Sequence, residues 1–174
     1  MDATRYTASG SPRIRRAAAG DLPDIAAIYN HEALHGLATL DLAAKSPDDF
    51  SRWLAAHQEE RHPVFVAEMS GRVVGYAALS PFREKEGFMT TAELSVYVAA
   101  GSRRSGVASA LMAAILDHAR RRPELHALVA AITYGNAASV RLNERFGFRP
   151  CGVLREAARK FDKFVDVGLY ELLL

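Results

Sequence analysis

The sequence predicts a single mixed α/β domain, and three observations carry that prediction. Its 174 residues correspond to roughly one domain at about 150 residues each. A composition of 49% hydrophobic and 24% charged residues is that of a folded globular chain. After an opening pair of helical segments, runs with the two-residue period of strands alternate with runs at helical spacing.

The elements follow in order along the chain. Residues 1–12 read as a flexible N-terminal tail ending in Ser9-Gly10-Ser11-Pro12, which leaves 13–174 as the domain. Arg13 to Ala17 reads as a short edge strand. Asp21 is placed to cap a helix whose first turn tolerates Pro23, with Leu22, Ile25, Ala26, Ile28 and Tyr29 as its apolar face. A second helix follows Ser46-Pro47, with Phe50, Trp53 and Leu54 at three- and four-residue spacing. Val64 to Ala67 and Val73 to Leu79, joined through Gly71, read as a hairpin. A polar loop spans Pro81 to Thr91. In Ala92 to Val98, residues Leu94, Val96 and Val98 alternate with Glu93, Ser95 and Tyr97, as in a strand with two different faces. A long helix runs from about Gly106 to Arg121. Leu128 to Ile132 is a buried-type strand, Asn136 to Phe146 a helix, and Arg149 to Arg155 with Val165 to Leu173 two closing strands.

Charge and cysteine content narrow the function classes. Lys and Arg total 22 against 20 Asp and Glu, a net charge of +2, too small to indicate nucleic acid or an anionic membrane as partner. Two Arg clusters, Arg103-Arg104 and Arg120-Arg121-Arg122, sit at opposite ends of one helix without interleaved aromatics, unlike a nucleic-acid surface. The single Cys151 permits no intrachain disulfide and no zinc spacing, and it is expected to be a buried, small apolar residue. The polar Met1 to Thr7 is unlike a signal peptide, and the apolar stretch Val107 to Leu116 is too short to span a bilayer. A soluble, cytoplasmic chain without a metal centre is expected.

The stretch from Glu93 to Leu111 carries the chemistry. It reads as strand, basic loop, helix, with Arg103-Arg104-Ser105-Gly106-Val107-Ala108-Ser109 at the helix start. Unpaired N–H groups and the positive end of the helix dipole make such a start an anion site, and Gly106 lets backbone approach the anion. A pyrophosphate suits it, although a solvated basic connector explains the loop equally well when it is taken alone. Gly101 and Gly106 have P-loop spacing, but Val107-Ala108 stand where Lys-Ser/Thr would be required, and no G-x-G-x-x-G fingerprint occurs. Asn136 is a good N-cap and Gly147 a good helix terminator, roles sufficient without any ligand.

Taken together, these residues resemble the GCN5-related N-acetyltransferase (GNAT) superfamily, in which Arg/Gln-x-x-Gly-x-Gly/Ala opens a helix; Arg103-x-x-Gly106-x-Ala108 matches it. The chain is most similar to the phosphinothricin and methionine sulfoximine acetyltransferase group. The matching pieces are Tyr29-Asn30-His31, Pro81-Phe82-Arg83, Glu93-x-Ser95-Val96-Tyr97-Val98, Asn136-x-Ala138-Ser139, Gly147-Phe148, Lys160-Phe161 and Asp166-Val167. They extend over nearly the whole chain.

The resemblance implies a mostly antiparallel sheet of six to seven strands flanked by about four helices. It implies acetyl-CoA as co-substrate and direct transfer of acetyl to the amino group of a small amino-acid-like acceptor. Glu93 matches the family's base. Val96, Tyr97 and Val98 would meet the pantetheine arm, Arg103 to Ser109 the pyrophosphate, and Asn136 and Ser139 the arm again. Phe82, Arg83, Lys85, Phe88 and Asn143 are the expected acceptor-side residues, with Arg83 facing a substrate carboxylate. Trp53 is expected in the core and His31 in a structural hydrogen bond. A homodimer is implied as well.

Two departures bear on the acceptor. Leu142-Asn143-Glu144 replaces the group's Leu-His-Glu, so a group that exchanges protons gives way to one that only hydrogen-bonds. Lys160-Phe161-Asp162-Lys163-Phe164 replaces Lys-Phe-Gly-Arg followed by Trp. Acetylation of a protein N-terminus or lysine, and acyl-CoA binding without turnover, are the competing readings. A mere binder has no use for a base at Glu93.

Overall fold

Helix α1 (Leu22–His35) carries Pro23 in its first turn, where the ring presets φ and no N–H is needed. Asp21 occupies the cap position but does not cap α1 with its side chain. Instead its carboxylate accepts the Ala18 N–H at 2.8 Å and both ends of the Arg15 guanidinium at 2.7 Å. Helix α2 (Pro47–Ala55) has a full capping box, with Ser46 and Asp49 satisfying each other's backbone N–H groups. The computed structural model describes residues 10–174, so most of the tail expected over 1–12 lies outside the described residues.

Seven strands form one sheet: β1 (Arg13–Arg16), β2 (Val64–Met69), β3 (Arg72–Pro81), β4 (Thr91–Val98), β5 (Ala127–Thr133), β6 (Arg149–Lys160) and β7 (Lys163–Leu173). Their spatial order is β1-β2-β3-β4-β5-β7-β6. Every neighbouring pair is antiparallel except β4 and β5. The remaining helices are α3 (Val107–Arg120) and α4 (Ala137–Arg145). The seven-stranded mixed sheet with four helices is the architecture expected.

Alternation along β4 divides two cores. Leu94, with Val96 and Val98 beside it, packs on Leu111, Met112 and Ile115 of α3. Tyr97 faces the other side, against Ile25, Ile28, Phe50 and Leu54 of α1 and α2. The sheet is therefore covered on both faces at β4.

The parallel ladder is short. It joins Thr91, Ala92 and Glu93 to Ala127, Leu128 and Val129, while β4 continues to Val98 and β5 to Thr133. Beyond Glu93, β4 has no ladder partner on its β5 side, and a cleft opens between the two strands.

β6 extends five residues beyond the expected Arg155, to Lys160. A bulge between Leu154 and Ala158, with Glu156 at φ +49, breaks the alternation by which a strand is recognised. β6 is also an edge strand, exposed almost throughout. Cys151 on it is consequently exposed, contrary to the burial expected for a small apolar thiol. Among the described residues, no helix is long and apolar enough to cross a membrane, and no cluster of His, Cys, Asp and Glu could hold a metal ion.

Candidate active site

Two cavities lie on either side of the point where β4 and β5 part. The larger, about 940 Å³, is bordered by the second half of α1, by Val96 to Val98, by the loop into α3, and by the start of α4. The smaller, about 560 Å³, lies between β4, α2 and the segment leading from α1 to α2. A narrow cleft of about 80 Å³ between the strands connects them; Ala38 and Tyr97 line all three spaces. Glu93 borders both the cleft and the smaller cavity, so it stands at the junction.

The larger cavity has the features of an anion site. Gly106 is the N-cap of α3 with φ +84, a left-handed conformation costly for other residues, and a Cβ there would meet open space. Arg103, Arg104, Gly106, Ala108 and Ser109 line the cavity. Val107 instead turns into the core with 1% exposure, and Ser105 donates to the Ser102 carbonyl at 2.5 Å. Arg103 is not a free cation, because its guanidinium is ion-paired with the buried carboxylate of Glu32. That carboxylate rests against Gly36, where a Cβ would lie 2.0 Å from Glu32 Oε2. Arg104 is exposed and itself left-handed at φ +63. The backbone N–H groups of the α3 start and Arg104 therefore remain as anion-binding elements.

His31, expected in a structural hydrogen bond, is exposed on this cavity, its ring 5.2 Å from and tilted against that of His35, one helical turn away. Asn136 caps α4 by accepting the Ser139 N–H at 3.2 Å, and both residues line the cavity and the cleft. The acetyl-CoA expected from the sequence fits this arrangement: an N–H-lined helix start, an unpaired strand edge, and a cleft leading from one to Glu93.

The smaller cavity is aromatic. Tyr29, Phe50, Trp53, Tyr76 and Tyr97 form a connected set of ring contacts along its wall, with Tyr76 and Tyr97 stacked at 5.2 Å. Trp53, expected in the core, is half-buried and lines the cavity. Burial keeps the tyrosines protonated: Tyr29 is pushed up to about 12, reinforced by its 2.5 Å bond to Asp41, and Tyr76 and Tyr97 are also raised. Lys45, 3.1 Å from Asp41, supplies the one cation among the described residues lining this space.

Glu93 is half-buried, and loss of solvation raises its pKa above the ordinary glutamate value. A carboxylate so placed accepts a proton more readily than one in water.

Phe82, Arg83, Lys85 and Phe88 are not among the residues lining the cavities. The Arg83 guanidinium instead lies over the Phe82 and Phe88 rings at 5.1 and 5.8 Å, and those rings meet edge to face at 5.5 Å. Within its own chain, the loop's rings and guanidinium pack on one another. Asn143, also expected on the acceptor side, borders the cleft and not the smaller cavity.

The segment 36–41 went unnoticed in the sequence, yet it supplies walls to both cavities. It is held from three directions. Thr133 Oγ1 donates to the Leu37 carbonyl, and the Tyr97 hydroxyl donates to the Ala38 carbonyl at 3.3 Å. Lys160, 2% exposed, donates to the carbonyls of Thr39 at 2.7 Å and Glu32 at 3.2 Å.

An acyl-transfer architecture is thus defined by the sheet, its parted strands and the loop at α3. The chain belongs to the GNAT acetyltransferase family, whose domain model matches residues 14–169. It is 37% identical to the phosphinothricin N-acetyltransferase of Streptomyces coelicolor, over 91% of this chain and 94% of that protein. It is equally 37% identical to the L-methionine sulfoximine/L-methionine sulfone acetyltransferase of Pseudomonas paraeruginosa, over 94% and 95%. Among solved structures, ribosomal-protein-alanine N-acetyltransferase of Brucella melitensis superimposes with a TM-score of 0.90 at 40% identity, over 93% of this chain and 99% of that one. The putative acetyltransferase yncA of Salmonella typhimurium, solved with acetyl-CoA, gives 0.90 at 34% identity, over 95% of each.

Proposed function

We propose that this enzyme transfers acetyl directly from acetyl-CoA to the amino group of a small amino-acid-like acceptor of the phosphinothricin or methionine sulfoximine type. One observation carries the reading: Glu93, with a raised pKa, stands where the aromatic cavity meets the cleft between β4 and β5. Acetyl-CoA supplies the thioester-borne acetyl when bound. The α3 start and Arg104 hold its anionic end, and the unpaired β4 edge offers backbone N–H groups to its carbonyls.

In the aromatic cavity, an ammonium cannot attack, so the acceptor must lose a proton. Glu93 takes it, and burial shields the neutral amine from re-protonation by solvent. Lys45 is placed to pair with an acceptor carboxylate. The cavity volume, about 560 Å³, suits a compact amine better than a peptide. The Brucella relative's name nevertheless makes an N-terminal alanine peptide the necessary competitor.

A homodimer in the cytoplasm belongs to the same proposal. Val153 and Phe164 are exposed on one face of β6 and β7, and Leu154 is exposed on the other; the first two offer an apolar surface suited to a second copy.

Thiol release from acetyl-CoA, measured across phosphinothricin, methionine sulfoximine, the common amino acids and an Ala-starting peptide, tests the reading. Acetylation of free amino acids is expected. CoA binding with no turnover of any amine would refute catalysis, and turnover of the peptide alone would move the activity to proteins.

A further inference from the structure

Asn143 is 4% exposed and borders the cleft. Its position is set by the end of α4. The Asn143 carbonyl accepts the N–H groups of Phe146 and Phe148, each at 3.0 Å, around Gly147 at φ +92. Its Nδ2 donates to the Ser139 carbonyl at 2.9 Å. A carbonyl only accepts, so this bond settles which way the amide is turned. Oδ1 then points away from the helix, buried and without a hydrogen-bond partner among the described residues.

An unpaired buried acceptor costs about 1–3 kcal/mol. Nothing in the free protein requires it, since the Ser139 carbonyl also takes part in the helix ladder and would stay satisfied beside an apolar side chain. The oxygen is therefore positioned for a donor that arrives with a ligand. The acceptor amine is not that donor, because Asn143 does not line the aromatic cavity. Around Asn143 the cleft is walled by Leu94, Ala130 and Ile132 and leads to the larger cavity past Asn136 and Ser139. A thin chain bearing amide N–H groups suits such a passage.

Building on acetyl-CoA as the donor, we propose that Asn143 Oδ1 accepts a hydrogen bond from an amide N–H of the thioester-bearing arm. Asn143 is then a donor-binding residue that positions the acetyl group beside Glu93, and it does not choose the acceptor.

Calorimetric titration of the full-length chain tests this with two probes: CoA, which has the arm, and 3′,5′-ADP, which lacks it. In Asn143→Leu, loss of one hydrogen bond weakens CoA binding about tenfold. Binding of 3′,5′-ADP stays within about twofold, and the ligand-free variant melts no lower than wild type. Asn143→Met serves the same comparison where the leucine variant does not fold. CoA affinity within twofold of wild type overturns the assignment, and so does a parallel loss for both probes, which marks a structural role. Wild-type protein that binds neither probe overturns the acetyl-CoA reading itself.

Discussion

Replacing Glu93 with Gln removes the carboxylate at the junction and preserves its size. The ammonium of a free amino acid, beside its own carboxylate, is less acidic than a peptide N-terminus with a pKa of about 8, so at pH 7 well under about one-tenth is neutral and supplying the free amine accounts for more than about tenfold. Proton transfer to a positioned base in the transition state contributes about 10²–10⁴-fold in general. We expect Glu93→Gln to lower kcat/KM about 100-fold at pH 7, the gap narrowing as pH rises and solvent deprotonates more of the amine. Acetyl-CoA affinity should stay within about twofold, since Glu93 lies outside the larger cavity. Stability should move the other way. A carboxyl whose pKa is raised on folding binds its proton more tightly in the native state, so its ionisation destabilises the fold as pH rises through the native value. The variant should thus melt above wild type at pH 8, the gap closing toward about pH 4, the ordinary range of a solvated glutamate. Thiol-release kinetics from pH 6 to 9.5 and paired melting curves measure both. An unchanged kcat/KM, or a collapse of acetyl-CoA binding, would refute the role of Glu93.

Gly36→Ala should push the Glu32 carboxylate off Arg103, because the new methyl would sit 2.0 Å from Oε2; urea unfolding should show a loss of about 1–3 kcal/mol. Gly106→Ala should cost about 1–2 kcal/mol from its left-handed φ and weaken CoA binding in titration, with no steric clash inside the protein. Lys160→Met leaves the Thr39 carbonyl without its donor, while the Glu32 carbonyl keeps the Gly36 N–H; a stability loss of about 1–3 kcal/mol is expected. Because Thr39 lines the smaller cavity, where the amine is proposed to bind, KM for the amine should rise in that variant more than kcat falls.

Much of the fold was legible because periodicity is local. The two faces of β4, the helix starts near Pro23 and Ser46, and the stop at Gly147 each depend on residues close in sequence. The anion loop was legible for the same reason, since charge, Gly106 and helix start fall within a few residues. Long-range consequences were not. Pairing of Arg103 with Glu32 joins residues 71 apart, and no local signal shows that the loop's first arginine is already engaged. The walls supplied by 36–41 depend on Lys160, more than a hundred residues away. The loop from Phe82 to Phe88 carried suitable chemistry, but its rings and guanidinium satisfy one another. Cys151 is exposed because β6 ended at the sheet's edge, an outcome of strand order and not of neighbouring residues.

Strand order also bears on how the site is assembled. β7, the final strand in sequence, lies inside the sheet between β5 and β6. β6 therefore has no place to dock until the last eleven-residue strand has been synthesised and threaded beside β5. Lys160 reaches the Thr39 carbonyl only after that hairpin closes. Pairings of such sequence separation are slow to form, because chain entropy is lost before contacts compensate. On a growing chain, the α3 anion loop can form early, whereas the wall at 36–41 must wait for β7. Removal of β7 should then yield a collapsed chain with an exposed β5 edge, prone to pairing with its neighbours and unable to shape an amine cavity.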